Sequence, residues 1–123
     1  REVVRDLVAS LLALRGFKVE LAENGRAALD YLKAHPADVI ITDYFMPGMD
    51  GLELYRELLR LEPGLATRLI LMSGNLVDRR VSEFIRTTGA PAIQKPFKVA
   101  DLDAAVSLVL SHCGSSGGNA QAG

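Results

Sequence analysis

Apolar residues recur at helical spacing along the start of the chain: Val3, Val4, Leu7, Val8, Leu11, Leu12 and Leu14. The pattern predicts a helix over residues 1–15, stopped by Gly16 just past its last turn. Between residues 17 and 22 the period becomes two, with Phe17, Val19 and Leu21 set against Lys18 and Glu20, which predicts a strand. Asn24 can cap a second helix carrying Ala27, Ala28, Leu29, Tyr31 and Leu32, closed by Pro36. Asp38-Val39-Ile40-Ile41-Thr42-Asp43 is a β-branched run ending in a carboxylate and reads as a buried strand. Asp50 stands three residues before Glu53, a capping-box pair opening a helix to about Leu61, which Pro63-Gly64 breaks. Residues 68–73 form another apolar run with a polar end. A helical stretch over residues 78–88 stops at Gly89. Ala92-Ile93-Gln94 then leads into Lys95-Pro96-Phe97. A last helix over residues 99–111 sets Leu102, Ala105, Val106, Val109 and Leu110 on one face.

Strands alternating with helices of this length predict an α/β fold with a parallel sheet. Residues 1–112 are read as one domain. Residues 113–123 are rich in Gly and Ser, lack apolar periodicity and are read as a flexible tail. A chain of 123 residues is long enough for a single core. Its 49% hydrophobic content and net charge of -1 exclude a disordered chain. Lys and Arg are scattered among acids, which argues against a nucleic-acid surface. No stretch approaches the roughly 20 apolar residues needed to cross a membrane, and no signal-peptide pattern is present. Cys113 is the only cysteine, so no intrachain disulfide can form, and a cytoplasmic location is expected. His35 and His112 lack metal-ligand spacing and read as surface residues near helix ends.

Asp43 is followed by Pro47, Gly48 and Gly51, so its strand delivers an acid to a loop. In open parallel sheets ligands bind at the carboxyl ends of the strands. Ser73 and Lys95 end two other strands, so a carboxylate, a hydroxyl and an ammonium share one sheet edge. Separately, Asp43 or Ser73-Gly74 reads as an ordinary turn and Lys95 as a solvated charge. Together they suit phosphoryl transfer to a carboxylate: Asp43 as nucleophile, Lys95 offsetting phosphoryl charge, Ser73 donating a hydrogen bond.

These residues, with Met46-Pro47-Gly48-Met49-Asp50-Gly51, Ser73-Gly74 and Lys95-Pro96-Phe97, closely resemble the receiver domain of two-component response regulators. The spacing agrees as well, Ser73 lying 30 and Lys95 52 residues after Asp43. Ala22-Glu23-Asn24-Gly25 with Ala28-Leu29 is a weaker match. The resemblance spans residues 1–111 and implies a flavodoxin-like doubly wound parallel sheet of order 2-1-3-4-5. It implies that Asp43 takes a phosphoryl group from a histidine kinase or phosphotransfer protein, that Ser73 swings toward the phosphoryl oxygen, and that Lys95 pairs with Asp43 or its phosphate. It also implies a cis Lys95-Pro96 bond. Mg²⁺ would be held by Asp43, the backbone carbonyl of Phe45 and an acid from the family's first strand. The output face would comprise the helix from Asp78, the strand at Ile93 and the last helix, with a possible homodimer through the last helices.

The chain departs from the family at its beginning. The family's first strand and its acidic pair, which precede the position of Arg1, are absent, and that strand lies at the sheet centre. Burying such a strand contributes an amount comparable with a whole domain's stability of about 5–15 kcal/mol. The facing edges of the strands at Phe17 and Val39 would also lose their partners. No other segment has the apolar alternation to replace it, so the chain is expected not to complete the fold alone. Truncation, which the non-Met start favours, or a strand supplied by another chain would explain the gap. Mg²⁺ binding is then expected to be weak or lost. Ala92 is a smaller departure, since many receivers carry an aromatic residue there; any switching must rest on Ser73 and its loop.

The leading expectation is a signalling switch rather than an enzyme. The alternative is a receiver-like protein-binding module that works without phosphorylation. A phosphatase with an Asp nucleophile usually needs a second acid two residues on, and Phe45 stands there.

Overall fold

The computed structural model describes the backbone of residues 2–113 and 119–122 and the side chains of residues 5–111. In chain order the elements are α1 (Glu2–Leu14), β1 (Lys18–Leu21), α2 (Gly25–Ala34), β2 (Val39–Asp43), α3 (Gly51–Leu61), α4 (Pro63–Ala66), β3 (Leu69–Ser73), α5 (Arg79–Thr88), β4 (Ala92–Gln94), α6 (Val99–Cys113) and β5 (Asn119–Ala122). Local chemistry sets most of the boundaries. Gly16 and Gly89 follow α1 and α5 with φ of +89° and +70°, a backbone region that favours glycine. The Asn24 side chain accepts from the Ala27 N–H at 2.8 Å to start α2. At α3, Asp50 and Glu53 form the full capping box, with bonds of 2.8 and 2.9 Å. Pro63 does more than break α3: it occupies the first turn of the short helix α4, where a missing N–H costs nothing.

The five strands form one parallel sheet of order β1-β5-β2-β3-β4. β3 is buried throughout, and β2 at all but Asp43, the signature of strands covered on both faces. On one face Val8 and Leu12 of α1 and Leu102, Val106 and Val109 of α6 pack with Val39, Ile41, Ile70 and Ile93. On the other, Leu29, Leu54, Leu58, Val81 and Phe84 pack with Ile40, Leu69, Leu71 and Tyr44. Arg15 clamps the end of α1 to α6 through two contacts with Asp103, at 2.5 and 2.8 Å.

The flavodoxin-like class is as expected, but the strand position expected to be missing is filled. Part of the segment read as a flexible tail, Asn119–Ala122, runs as β5 between β1 and β2. Lys18 stands beside Asn119 and Leu21 beside Ala122, while Val39 stands beside Ala120 and Ile41 beside Ala122. Residues 114–118 and 123, also read as tail, lie outside the described residues. The expectation failed because it tested the tail for side-chain alternation. What the facing edges of β1 and β2 require is a row of N–H and C=O groups, and any proline-free extended segment supplies one.

Replacing Asp50 with Ala removes the side-chain half of the α3 cap and is expected to cost about 1 kcal/mol. In urea unfolding the midpoint should fall with an unchanged slope.

Candidate functional site

Parallel pairing carries the ends of β2, β3 and β4 to one edge of the sheet. Asp43 is the last residue of β2, Ser73 the last of β3, and Lys95 follows β4. The backbone binds these ends together: the Lys95 N–H donates to the Ser73 carbonyl at 2.8 Å, and the Tyr44 N–H to the Met72 carbonyl at 3.2 Å. The Lys95-Pro96 peptide is cis. The Lys95 ammonium meets the Asp43 carboxylate at 2.6 Å from Nζ to Oδ1, with the two side chains 23% and 24% exposed. Ser73 is buried, and its hydroxyl is engaged in its own turn: Oγ accepts from the Asn75 N–H at 3.2 Å and lies 3.4 Å from the Asn75 carbonyl. The edge therefore brings Asp43 and Lys95 into contact, with Ser73 on the adjacent strand end turned toward Asn75.

The loop after Asp43 is shaped by residues that the sequence reading passed over or used only as motif. Buried Thr42 places Oγ1 3.0 Å from the Asp43 carbonyl and 3.1 Å from the Met46 sulfur, linking the strand end to the loop. Gly48 has φ of +80°. A Cβ on Gly25, at the start of α2, would stand 2.7 Å from the Met49 sulfur, so Met49 lies where a larger residue at position 25 would push it aside. Phe45, 45% exposed, carries the Arg80 guanidinium 4.7 Å above its ring and the Tyr44 ring at its edge, 4.9 Å away. Residues 45–50 with Glu53 and Arg80 line an open cleft of about 500 Å³. Arg80 was legible only as one charge on a solvated helix; nothing in its local sequence points to Phe45.

Burial, followed by the negative charge of Asp50, pushes the Tyr44 phenol above its ordinary value of 10. For Asp78, the cap of α5, burial acts upward. Hydrogen bonds from the backbone and side chain of Arg80 and from the Val81 N–H outweigh it and hold the carboxyl below the usual range.

A resident Mg²⁺ is poorly served by the residues present. Among the described residues, no three His, Cys, Asp or Glu gather where they could hold a metal ion. One Asp43 oxygen already faces Lys95. β5 occupies the strand position from which an acid was expected, yet reads Asn-Ala-Gln-Ala and ends beside Ile41, two residues short of Asp43. Asp43 and the Phe45 carbonyl, the two donors of the expected set that this chain carries, are by themselves a thin set for an ion that demands octahedral oxygen coordination.

The profile of the response regulator receiver domain family matches residues 1–107. The chain belongs to that family. The two-component response regulator ARR17 of Arabidopsis thaliana is 30% identical over 111 residues, covering 80% of this receiver chain and 72% of ARR17. The response regulator MprA of Mycolicibacterium vanbaalenii is 34% identical over 108 residues, which is 87% of this chain but 46% of MprA. Among solved structures, the receiver domain of a signal transduction histidine kinase from Syntrophus aciditrophicus superposes with a TM-score of 0.77 at 33% identity, covering 91% of this chain and 85% of that one. A CheY-like receiver protein from Methanospirillum hungatei reaches a TM-score of 0.81 at 25% identity, covering 94% and 91%. Receiver domains are in general non-enzymatic signalling domains of two-component systems, interact with histidine kinases or phosphotransfer proteins, and bind Mg²⁺ through acidic residues. No described helix of this receiver is long and apolar enough to cross a membrane.

Because the folded state raises the Tyr44 pKa, its contribution to stability is complete below the unfolded value near 10 and is lost as pH rises through the folded value. Absorbance titration of the phenols should show a component above pH 10 that disappears in Tyr44→Phe, and the alkaline loss of stability should be smaller in that variant.

Proposed function

We propose that this receiver accepts a phosphoryl group on Asp43 from a phosphohistidine of a kinase or phosphotransfer protein, and that the modification switches a protein-interaction surface. The 2.6 Å ion pair between Lys95 and Asp43 is the observation that carries the reading. An anionic carboxylate oxygen is the nucleophile this chemistry needs, and the ammonium keeps a compensating charge in place as the phosphoryl group arrives. With Oδ1 on Lys95, Oδ2 attacks phosphorus. A new O–P bond forms, the P–N bond to the donor imidazole breaks, and the imidazole leaves with the bonding electron pair. Lys95 then follows the charge onto the phosphoryl oxygens. Ser73 answers the new anion by exchanging its contact with Asn75 for a hydrogen bond to a phosphoryl oxygen. Because Asn75 leads into the turn before α5, that exchange alters the surface formed by α5, β4 and α6.

A second reading, a receiver-like module that binds partners without phosphorylation, is favoured by one observation: among the described residues no group of three His, Cys, Asp or Glu gathers to hold a metal ion. Incubating the chain with a small phosphoryl donor and Mg²⁺ and measuring intact mass separates the two. Acceptance predicts the gain of one phosphoryl group, absent in Asp43→Asn. A gain that survives Asp43→Asn overturns Asp43 as acceptor, and no gain in a protein that also carries the family's first strand selects the binding module. Lys95→Ala should slow the gain by about 10²-fold, the scale for removing one electrostatic stabiliser. Ser73→Ala should weaken phosphorylation-dependent partner binding more than phosphorylation itself; equal loss of both would contradict the assignment of Ser73 to the switch.

A further inference from the structure

A series of short contacts leaves the end of β3, passes through the start of α5 and returns to the loop beside Asp43. The Ser73 hydroxyl accepts from the Asn75 N–H. The Asn75 carbonyl accepts from the Asp78 N–H at 3.3 Å, and the Asn75 side chain from the Val77 N–H at 3.1 Å. Asp78 caps α5 through the Arg80 and Val81 N–H groups and stands 3.5 Å from the Arg80 guanidinium. That guanidinium lies 4.7 Å over the ring of Phe45, two residues after Asp43. The last contact holds both of its partners. Met46 and Met49 pack against the buried cluster on this face, whereas Phe45 is 45% exposed and meets Tyr44, its own neighbour in the chain, only at the ring edge. The guanidinium covers one face of that ring, and its removal would return the face to water. The ion pair between Arg80 and Asp78 is long and the Arg80 side chain is mostly exposed, so salt bridging alone holds it loosely. The ring therefore fixes the guanidinium, and the guanidinium fixes the ring.

We propose that Arg80 is a positioning residue for the phosphoacceptor loop: seated on Phe45 it latches α5 to that loop in the resting protein, and phosphorylation of Asp43 unseats it. The unseating follows from the order of the contacts. When Ser73 turns from Asn75 to a phosphoryl oxygen, the turn between Asn75 and Asp78 loses one of its holds. Asp78 carries the first turn of α5, and Arg80 stands in that turn, so a shift there lifts the guanidinium from the ring. Linkage makes the effect reciprocal: a change that unseats Arg80 favours the phosphorylated arrangement, and phosphorylation favours the unseated one. The unseating step rests on Asp43 as acceptor; the latch itself does not.

The test keeps the two apart. In the unphosphorylated protein, Phe45→Leu should raise the hydrogen-exchange rate of the first α5 turn about two- to fivefold, the population change that one exposed cation–π contact holds. Arg80→Leu should raise it by the same factor, the two together should add nothing further, and Phe45→Tyr, which keeps a ring, should leave the parent rate. Additive effects, or an α5 turn indifferent to Phe45→Leu, overturn the latch. The chain has no Trp, so Phe45→Trp places a single fluorophore under Arg80. Adding Arg80→Leu should shift its emission, and phosphorylation confirmed by intact mass, with phosphoramidate and Mg²⁺, should shift it in the same direction. Phosphorylated protein with unchanged emission overturns the unseating step. No gain of mass in a protein that also carries the family's first strand removes the acceptor reading and the unseating with it, while the exchange rates still decide the latch.

Discussion

Every feature of this domain depends on β2 being hydrogen-bonded along both edges. β3 pairs on one side, β5 on the other, and the strand between them is buried from Val39 to Thr42. An extended strand buried among helices cannot leave a row of N–H and C=O groups unpaired, since each orphaned group carries a desolvation penalty of about 1–3 kcal/mol. Paired with β5 as far as Ile41 and with β3 as far as Asp43, β2 becomes a rigid support that ends at Asp43. The carboxylate is therefore fixed by the ladder and not by the loop that follows it. The same ladder places β3 and β4 in register, which brings Lys95 within 2.6 Å of Asp43 although 52 residues separate them in the chain.

The ion pair sits at an intermediate depth, and that depth suits its chemistry. A fully buried pair pays heavily for desolvation, and an exposed one is screened and loosely held. With both side chains about a quarter exposed, the carboxylate keeps access to an incoming group while the ammonium is held by a strand end whose N–H is bonded to Ser73. Around this pair the loop from Phe45 to Asp50 is held at several points. Thr42 contacts its start, Gly25 receives Met49, and the Asp50–Glu53 box fixes its exit into α3. Arg80 adds a link from α5 through the Phe45 ring. A change at the end of β3 thus has a short physical route to the loop beside Asp43, running through the start of α5.

Much of this was legible in the sequence because the signals were local. Asn24, Asp50 and Glu53 announce helix starts through their own side chains, and Gly16 and Gly89 announce stops through backbone freedom. The runs at β2 and β3 are apolar up to Thr42 and Ser73 near their ends, as strands covered on both faces tend to be. Asp43 and Lys95 were legible as a pair because parallel strands share an end, so topology alone makes two distant residues neighbours. The contacts that stayed hidden lie between elements and leave no periodic mark. Arg80 reaches Phe45 across the cleft, and Met49 lies over Gly25. Pro63 was legible as the stop of α3 but not as the start of α4: the residue that ends one helix also fits the first turn of the next, and only the path of the chain shows the second role.

β5 marks the limit of pattern reading most sharply. Hydrophobic alternation identifies strands whose side chains stabilise the sheet; it says nothing of a strand recruited by unsatisfied backbone. Here two neighbouring strands create a vacancy in the hydrogen-bond ladder, and filling it requires extended geometry and the absence of proline, both of which Asn119–Ala122 provide. Backbone demand therefore decides that some strand stands beside Val39 and Ile41, while side-chain packing decides how tightly it is held. The two criteria select different segments, and Asn119–Ala122 meets the first along Val39–Ile41, while β2 runs on past it to Asp43.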